Sequence, residues 1–287
     1  MMKQKRSRTP SFDLLSAYDW FIPGWIDFMW IAIMLGVGMV IVAIASVSLQ
    51  KAGFAPIYIQ TICYPLLFIP AMMMASAQSR RNVFRIEPKP VDRPDQWKIV
   101  PALLAMAGML GMAFLLDPLN ALLPEPSAEI KAAMAILADG PLAVSLLCTA
   151  VFAPFFEEWL FRGIVLRGLL GKLKPVWAIL ISSVVFGLFH LNLWQAIPAV
   201  LMGLLLGYVY WKSGSLKLTM LMHCANNTLS VLLMHLHGTD ANDTIYDLIP
   251  NKFLYGGIYA VAAVILVGTV LFFWKKGAFV QAEKEEE

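Results

Sequence analysis

Glu157 and Glu158 stand side by side in an apolar stretch, and Arg162 follows the second of them at a spacing of four. On a helix, residues four apart share a face, whereas neighbours diverge by about 100°. The spacing therefore predicts an ion pair between Glu158 and Arg162, with the two carboxylates not facing the same partner. Glu157 is left over for proton transfer, the work of a general base. Two further pairs repeat the spacing: Phe186 with His190, and His223 with Asn227. A neutral His190 beside Glu157 can hold and orient a water. His223 and Asn227 offer two donors aimed at one point, as a developing oxyanion requires. Asn226 is turned about 100° away and is the weaker candidate.

These groups must be positioned by elements that are almost entirely apolar. Hydrophobic residues make up 59% of the chain and charged ones 14%, and several apolar runs approach or exceed the roughly 20 residues that span a bilayer. Spans are expected at 25–49, 57–77, 99–123, 142–166, 176–193, 196–211, 216–236 and 253–274, giving an all-α polytopic membrane protein of about eight transmembrane helices. Ionisable groups inside such spans are costly and mark sites of chemistry or transport.

Basic residues test the count, because Lys and Arg gather in cytoplasmic loops. With the N-terminus inside, those loops hold Lys3, Lys5, Arg6 and Arg8, then 80–98 with Arg80, Arg81 and Arg85, then Arg167, Lys172 and Lys174, then Lys212 and Lys217, and finally Lys275, Lys276 and Lys284. The far side receives Lys51, Lys131 and Lys252. Both termini are thus expected in the cytoplasm. The net charge of +3 is accounted for by this topology and implies no nucleic-acid partner. Most tryptophans fall near helix ends, where an indole suits the interface, with Trp159 the exception. No cleavable signal peptide is expected, since the first apolar run is too long for one.

The three ordered motifs, Glu-Glu-x-x-x-Arg at 157–162, Phe-x-x-x-His at 186–190 and His-x-x-x-Asn at 223–227, resemble those of the CPBP (CAAX protease and bacteriocin-processing, or Abi) family of intramembrane proteases, which includes the Rce1-type CAAX endopeptidases. The resemblance implies a glutamate-dependent endopeptidase with an Rce1-like core. It maps a water-activating pair onto Glu157 and His190, an oxyanion-stabilising pair onto His223 and Asn227, and supporting roles onto Glu158, Arg162 and Phe186. It implies metal-free chemistry without a cofactor, and a peptide or protein substrate at the membrane, lipid-modified in some members. The expected organisation is a segment 1–141 with the first three spans, a protease-like core at 142–236, and 237–287 with an exposed loop, the last span and a short acidic tail.

Other readings compete. Glu158 and Arg162 alone could be a buried pair that fixes packing, and a metal could sit between Glu157, His190 and His223, although the helical His-Glu-x-x-His spacing of zinc proteases is absent. A proton-coupled transporter would also use intramembrane Glu and His, but paired halves are not evident. A non-catalytic scaffold or immunity protein would not need every motif position filled. Cys63, Cys148, Cys224 and the run Met72, Met73, Met74 read as packing residues. His235 and His237 are expected at the interface or loop, and Gly203 with Gly207 as a close helix contact. One tension stands: counted from the cytoplasmic boundary, His190 lies of order 10 Å deeper than Glu157 and His223, so a single site requires a displaced or tilted fifth helix.

Overall fold

The computed structural model describes residues 14–93, 98–120, 122–237 and 245–275, and every long element among them is helical. The basic N-terminus from Lys3 to Arg8, Trp97, the loop 238–244, and the tail with Lys276, Lys284 and the acidic run lie outside the described residues, as does the side chain of His237. The helices are α1 (Trp25–Lys51), α2 (Pro56–Asn82), α3 (Ile99–Asn120), α4 (Ala128–Asp139), α5 (Leu142–Leu170), α6 (Pro175–Leu188), α7 (Leu193–Ser213), α8 (Leu216–His237), the single turn α9 (Ile245–Leu248) and α10 (Lys252–Lys275).

Six of these are long and apolar enough to cross a membrane: α1, α2, α3, α5, α7 and α10. The other two expected spans are also helices. α6 is apolar but has only 14 residues, and α8 has 22 residues with His223, Asn226 and Asn227 diluting its apolar character. The amphipathic α4 is an element the apolar-run reading did not anticipate.

α1 packs on α2, α6 on α7, and α3 on both α8 and α10. α5 is the most enclosed of the apolar helices and α1 the least. A helix that is apolar all round belongs in the interior, and α5 buries Trp159, Leu160, Phe161, Ile164 and Leu166 in one cluster with Phe68, Tyr18 and Phe186. Trp159, misplaced for an interfacial indole, is fully buried and meets the Tyr18 ring edge-on at 5.3 Å. Burial pushes the Tyr18 phenol up to about 12, so it stays neutral at physiological pH. Met72 is buried as expected, but Met73 is 67% exposed and lies on the outward face of α2.

Loops close one end of the bundle beneath Trp159. Arg167 donates to the carbonyls of Tyr18, Asp19, Phe21 and Lys89. Asp92 accepts from the Ser215 hydroxyl and the Lys217 amide at the start of α8. These bonds fix where α5 ends and where α8 begins.

The α6–α7 hairpin depends on missing side chains. Gly203 lies against Ser183 and Gly207 against Ile179, at distances that leave little room for a Cβ, as the small-residue spacing predicts. A Cβ at Gly187 would fall 2.4 Å from Val200 Cγ2 and 2.6 Å from the Ala196 carbonyl oxygen, while one at Gly256 would meet open space. Alanine normally stabilises a helix relative to glycine by up to about 1 kcal/mol, but a backbone clash of this kind costs about 1–3 kcal/mol. Thermal unfolding in detergent should therefore show a lower midpoint for Gly187→Ala and an equal or higher one for Gly256→Ala. Equal midpoints for wild type and Gly187→Ala would contradict the packing.

Candidate functional site

Three helices bring the sequence-predicted residues together. α5 widens into π-type turns at Leu147–Phe152 and Trp159–Leu166, and the glutamates sit in the α-helical piece Ala153–Glu158 between them. Such π turns are frequent at functional sites. Glu157 is 7% exposed, Glu158 0%, Arg162 1% and His223 6%. Arg162 Nη1 donates to Glu158 Oε1 at 2.6 Å, the pair that the spacing predicts, and Nη2 donates to the Gly203 carbonyl of α7 at 3.3 Å. The guanidinium also lies 4.5 Å from the centre of the Phe186 ring on α6.

The expectation that the two carboxylates cannot face one partner is corrected by His223. Its Nδ1 lies 3.0 Å from Glu158 Oε1 and its Nε2 lies 3.8 Å from Glu157 Oε2. The carboxylates do diverge, but an imidazole has a nitrogen on each side and spans the gap. A carboxylate can only accept, so the Nδ1 contact places a proton on that nitrogen. Two acids then face one permanent cation. Where the ring carries a second proton, its Nε2–H is also a donor.

Asn227 lies one turn further along α8, and its Nδ2 donates to the Thr149 carbonyl at 2.8 Å. The reason lies in α5: Ala153 N–H reaches back five residues to Cys148, so the next bond in that register would come from Pro154, which has no N–H. Asn227 supplies the donor that Pro154 lacks. Its Oδ1 accepts from Asn226 Nδ2 at 3.1 Å, so Asn226 orients Asn227.

His190 does not lie on α6, the helix of the fifth expected span, as the motif spacing suggests, but in the turn after it. α6 ends at Leu188; Leu191 then takes a left-handed backbone with φ 58°, and Asn192 caps α7 by accepting from Gln195 N–H. The spacing survives, because His190 Nδ1 reaches the Phe186 carbonyl at 3.1 Å. That carbonyl can only accept, so neutral His190 presents Nε2 as an acceptor. The depth conflict is eased by the shortness of α6, since 14 residues rise about 21 Å against a hydrocarbon core of roughly 30 Å. The Phe186 ring lies between the histidines, 5.2 Å from His190 and 5.9 Å from His223 by ring centres. Among the described residues, no hydrogen bond or ion pair joins His190 to Glu157 directly.

Sequence reasoning missed Tyr64. Its hydroxyl, arriving from α2, donates to Glu157 Oε1 at 2.5 Å. The available signal was a tyrosine inside an apolar span, whose hydroxyl must find a partner when buried. His235 is also tied into the fold, its ring nitrogens 3.0 Å from the Val231 carbonyl and 3.2 Å from the Gly140 carbonyl. Cys63 and Cys148 are buried free thiols and Cys224 is half-buried. Among the described residues no group of three or more His, Cys, Asp or Glu is arranged to hold a metal ion; the two nitrogens of His223 point apart rather than to one centre.

Residues 139–229 match the family described as type II CAAX prenyl endopeptidase Rce1-like. This segment is similar to that family. It runs from the end of α4 into α8 and holds Glu157, Glu158, Arg162, Phe186, His190, His223 and Asn227, while Tyr64 falls outside it. Over 107 residues the chain is 27% identical to a Bacillus subtilis protein named "Putative membrane peptidase YdiL", a match covering 37% of this chain and 43% of that protein. The chain thus spans less than half the length of this relative. No solved structure matches the chain. With six helices apolar enough to cross a membrane and a match to a membrane-protease family, the chain is an integral membrane protein.

Breaking a buried ion pair by removing one partner costs about 3–5 kcal/mol, whereas replacing both with apolar side chains is often close to neutral. Chemical denaturation should therefore show Arg162→Met to be strongly destabilised and the double variant Glu158→Met/Arg162→Met to regain part of that loss. A double variant less stable than Arg162→Met alone would contradict the pairing.

Proposed function

We propose that this protein is an intramembrane endopeptidase that hydrolyses a peptide bond by glutamate-activated water. The observation that carries the reading is Glu157, a nearly buried carboxylate that is surplus to the Glu158–Arg162 pair and faces His223 from α8. The Rce1-like match and the membrane-peptidase relative support the same class.

In this mechanism Glu157 takes a proton from water as the oxygen attacks the scissile carbonyl. His190, with Nδ1 on the Phe186 carbonyl, offers Nε2 to the same water. The tetrahedral oxyanion is met by His223 Nε2–H and by the Asn227 amide, whose second N–H is not the one given to Thr149. Collapse breaks the C–N bond, and the proton held by Glu157 passes to the leaving amine. Glu158 and Arg162 take no proton; they hold His223 in place.

The substrate is a membrane-associated peptide or a protein C-terminus, including lipid-modified chains. The location that the breadth of the family favours is a bacterial plasma membrane, and the charge pattern favours both termini in the cytoplasm.

Purified protein in nanodiscs should cleave members of a quenched-fluorescent peptide library prepared with and without a C-terminal lipid. Glu157→Gln should lower turnover by about a hundredfold to ten-thousandfold with an unchanged unfolding midpoint, and EDTA should leave wild-type turnover intact. Full activity in Glu157→Gln, or activity lost to EDTA and restored by zinc, would refute the mechanism.

A further inference from the structure

We propose that Tyr64 is a positioning residue for Glu157, fixing one carboxylate oxygen so that the other serves as the base. The inference rests on the reading of Glu157 as general base and adds a helix, α2, that lies outside the Rce1-like match.

The groups around Glu157 leave it short of donors. On its own helix, Arg162 is committed to Glu158 and the Gly203 carbonyl, and Glu158 is a like charge. From α8, His223 Nε2 stands 3.8 Å from Oε2, beyond hydrogen-bonding distance. His190, in the turn after α6, makes its ring contact with the Phe186 carbonyl and has no direct hydrogen bond to Glu157 among the described residues, and the Cys148 thiol of α5 is engaged with the Thr61 hydroxyl of α2. Tyr64 is the direct donor to Glu157 among the described residues.

The phenol is held firmly enough for this work. Its ring leans on Phe68 at 5.7 Å, and Phe68, with no exposed surface, stacks on Phe156 of α5 at 5.3 Å and 16°. The hydroxyl is thus locked by contacts between the same two helices that it bridges. Pro65 follows it within α2 and removes an N–H from the helix ladder at that point. With Oε1 held, the carboxylate cannot rotate, and Oε2 stays on the side of His223 and the proposed water. A donated hydrogen bond favours the charged form of a carboxylate, so losing it favours protonation.

The test is the pH dependence of kcat/KM, with kcat and KM resolved, on the best library peptide. Wild type, Tyr64→Phe, the full-length protein with 3-fluorotyrosine at position 64, and Glu157→Gln would be compared. Tyr64→Phe should move the acid limb upward, with kcat falling about tenfold below the limb and KM unchanged. The more acidic fluorophenol donates a stronger bond and should move the limb downward; it also carries the test if the Phe variant fails to fold. An acid limb that does not move in either protein, with Glu157→Gln inactive, overturns the role of Tyr64 and leaves the base assignment standing. Cleavage retained by Glu157→Gln overturns both.

Discussion

A guanidinium and a carboxylate sealed inside a bundle of apolar helices can persist only as a pair, and the Arg162–Glu158 pair organises the rest of the site. Each ion loses several kcal/mol of hydration on burial, so every remaining hydrogen-bonding direction invites a partner. Arg162 reaches the Gly203 carbonyl of α7 and lies against the Phe186 ring of α6, while Glu158 accepts from His223 of α8. One helix, α5, is thereby tied to three others through polar contacts that lipid cannot replace. Glu157 is then an acid in excess, one residue before Glu158, facing the same His223.

The same logic explains why α5 is built irregularly. Its wide turns flank the glutamates, and Pro154 leaves the Thr149 carbonyl without its usual donor. Asn227 satisfies that carbonyl from α8, so a backbone defect in one helix becomes a fastening point for another. Tyr64, from α2, donates to Glu157 as Arg162, from α5 itself, donates to Glu158. The short α6 ends before His190, whose ring meets the same Phe186 that meets His223.

Much of this was legible from spacing. The i, i+4 order of Glu158 and Arg162 predicted their contact, and long apolar runs predicted the helices, because both depend on local periodicity. His190 was placed on the wrong element, since helix ends are set by turn chemistry at Leu191 and Asn192 rather than by apolar content. The bridging role of His223 was hidden because the rule that neighbours diverge on a helix ignores a ring with two binding edges. Tyr64 lies 93 residues from Glu157, and no local pattern carries such a contact. Met73 faces outward because a membrane protein accepts apolar residues on either side, so hydrophobicity alone does not identify its core.

The central claim is that water attacks the substrate directly, with no covalent enzyme intermediate. A single-turnover quenched-flow experiment following both product fragments tests it most directly. The account predicts that the new carboxyl and amine fragments appear together with one rate constant. An early burst of the amine fragment, with the acyl group retained on the protein at Glu157 or Cys224, would contradict it.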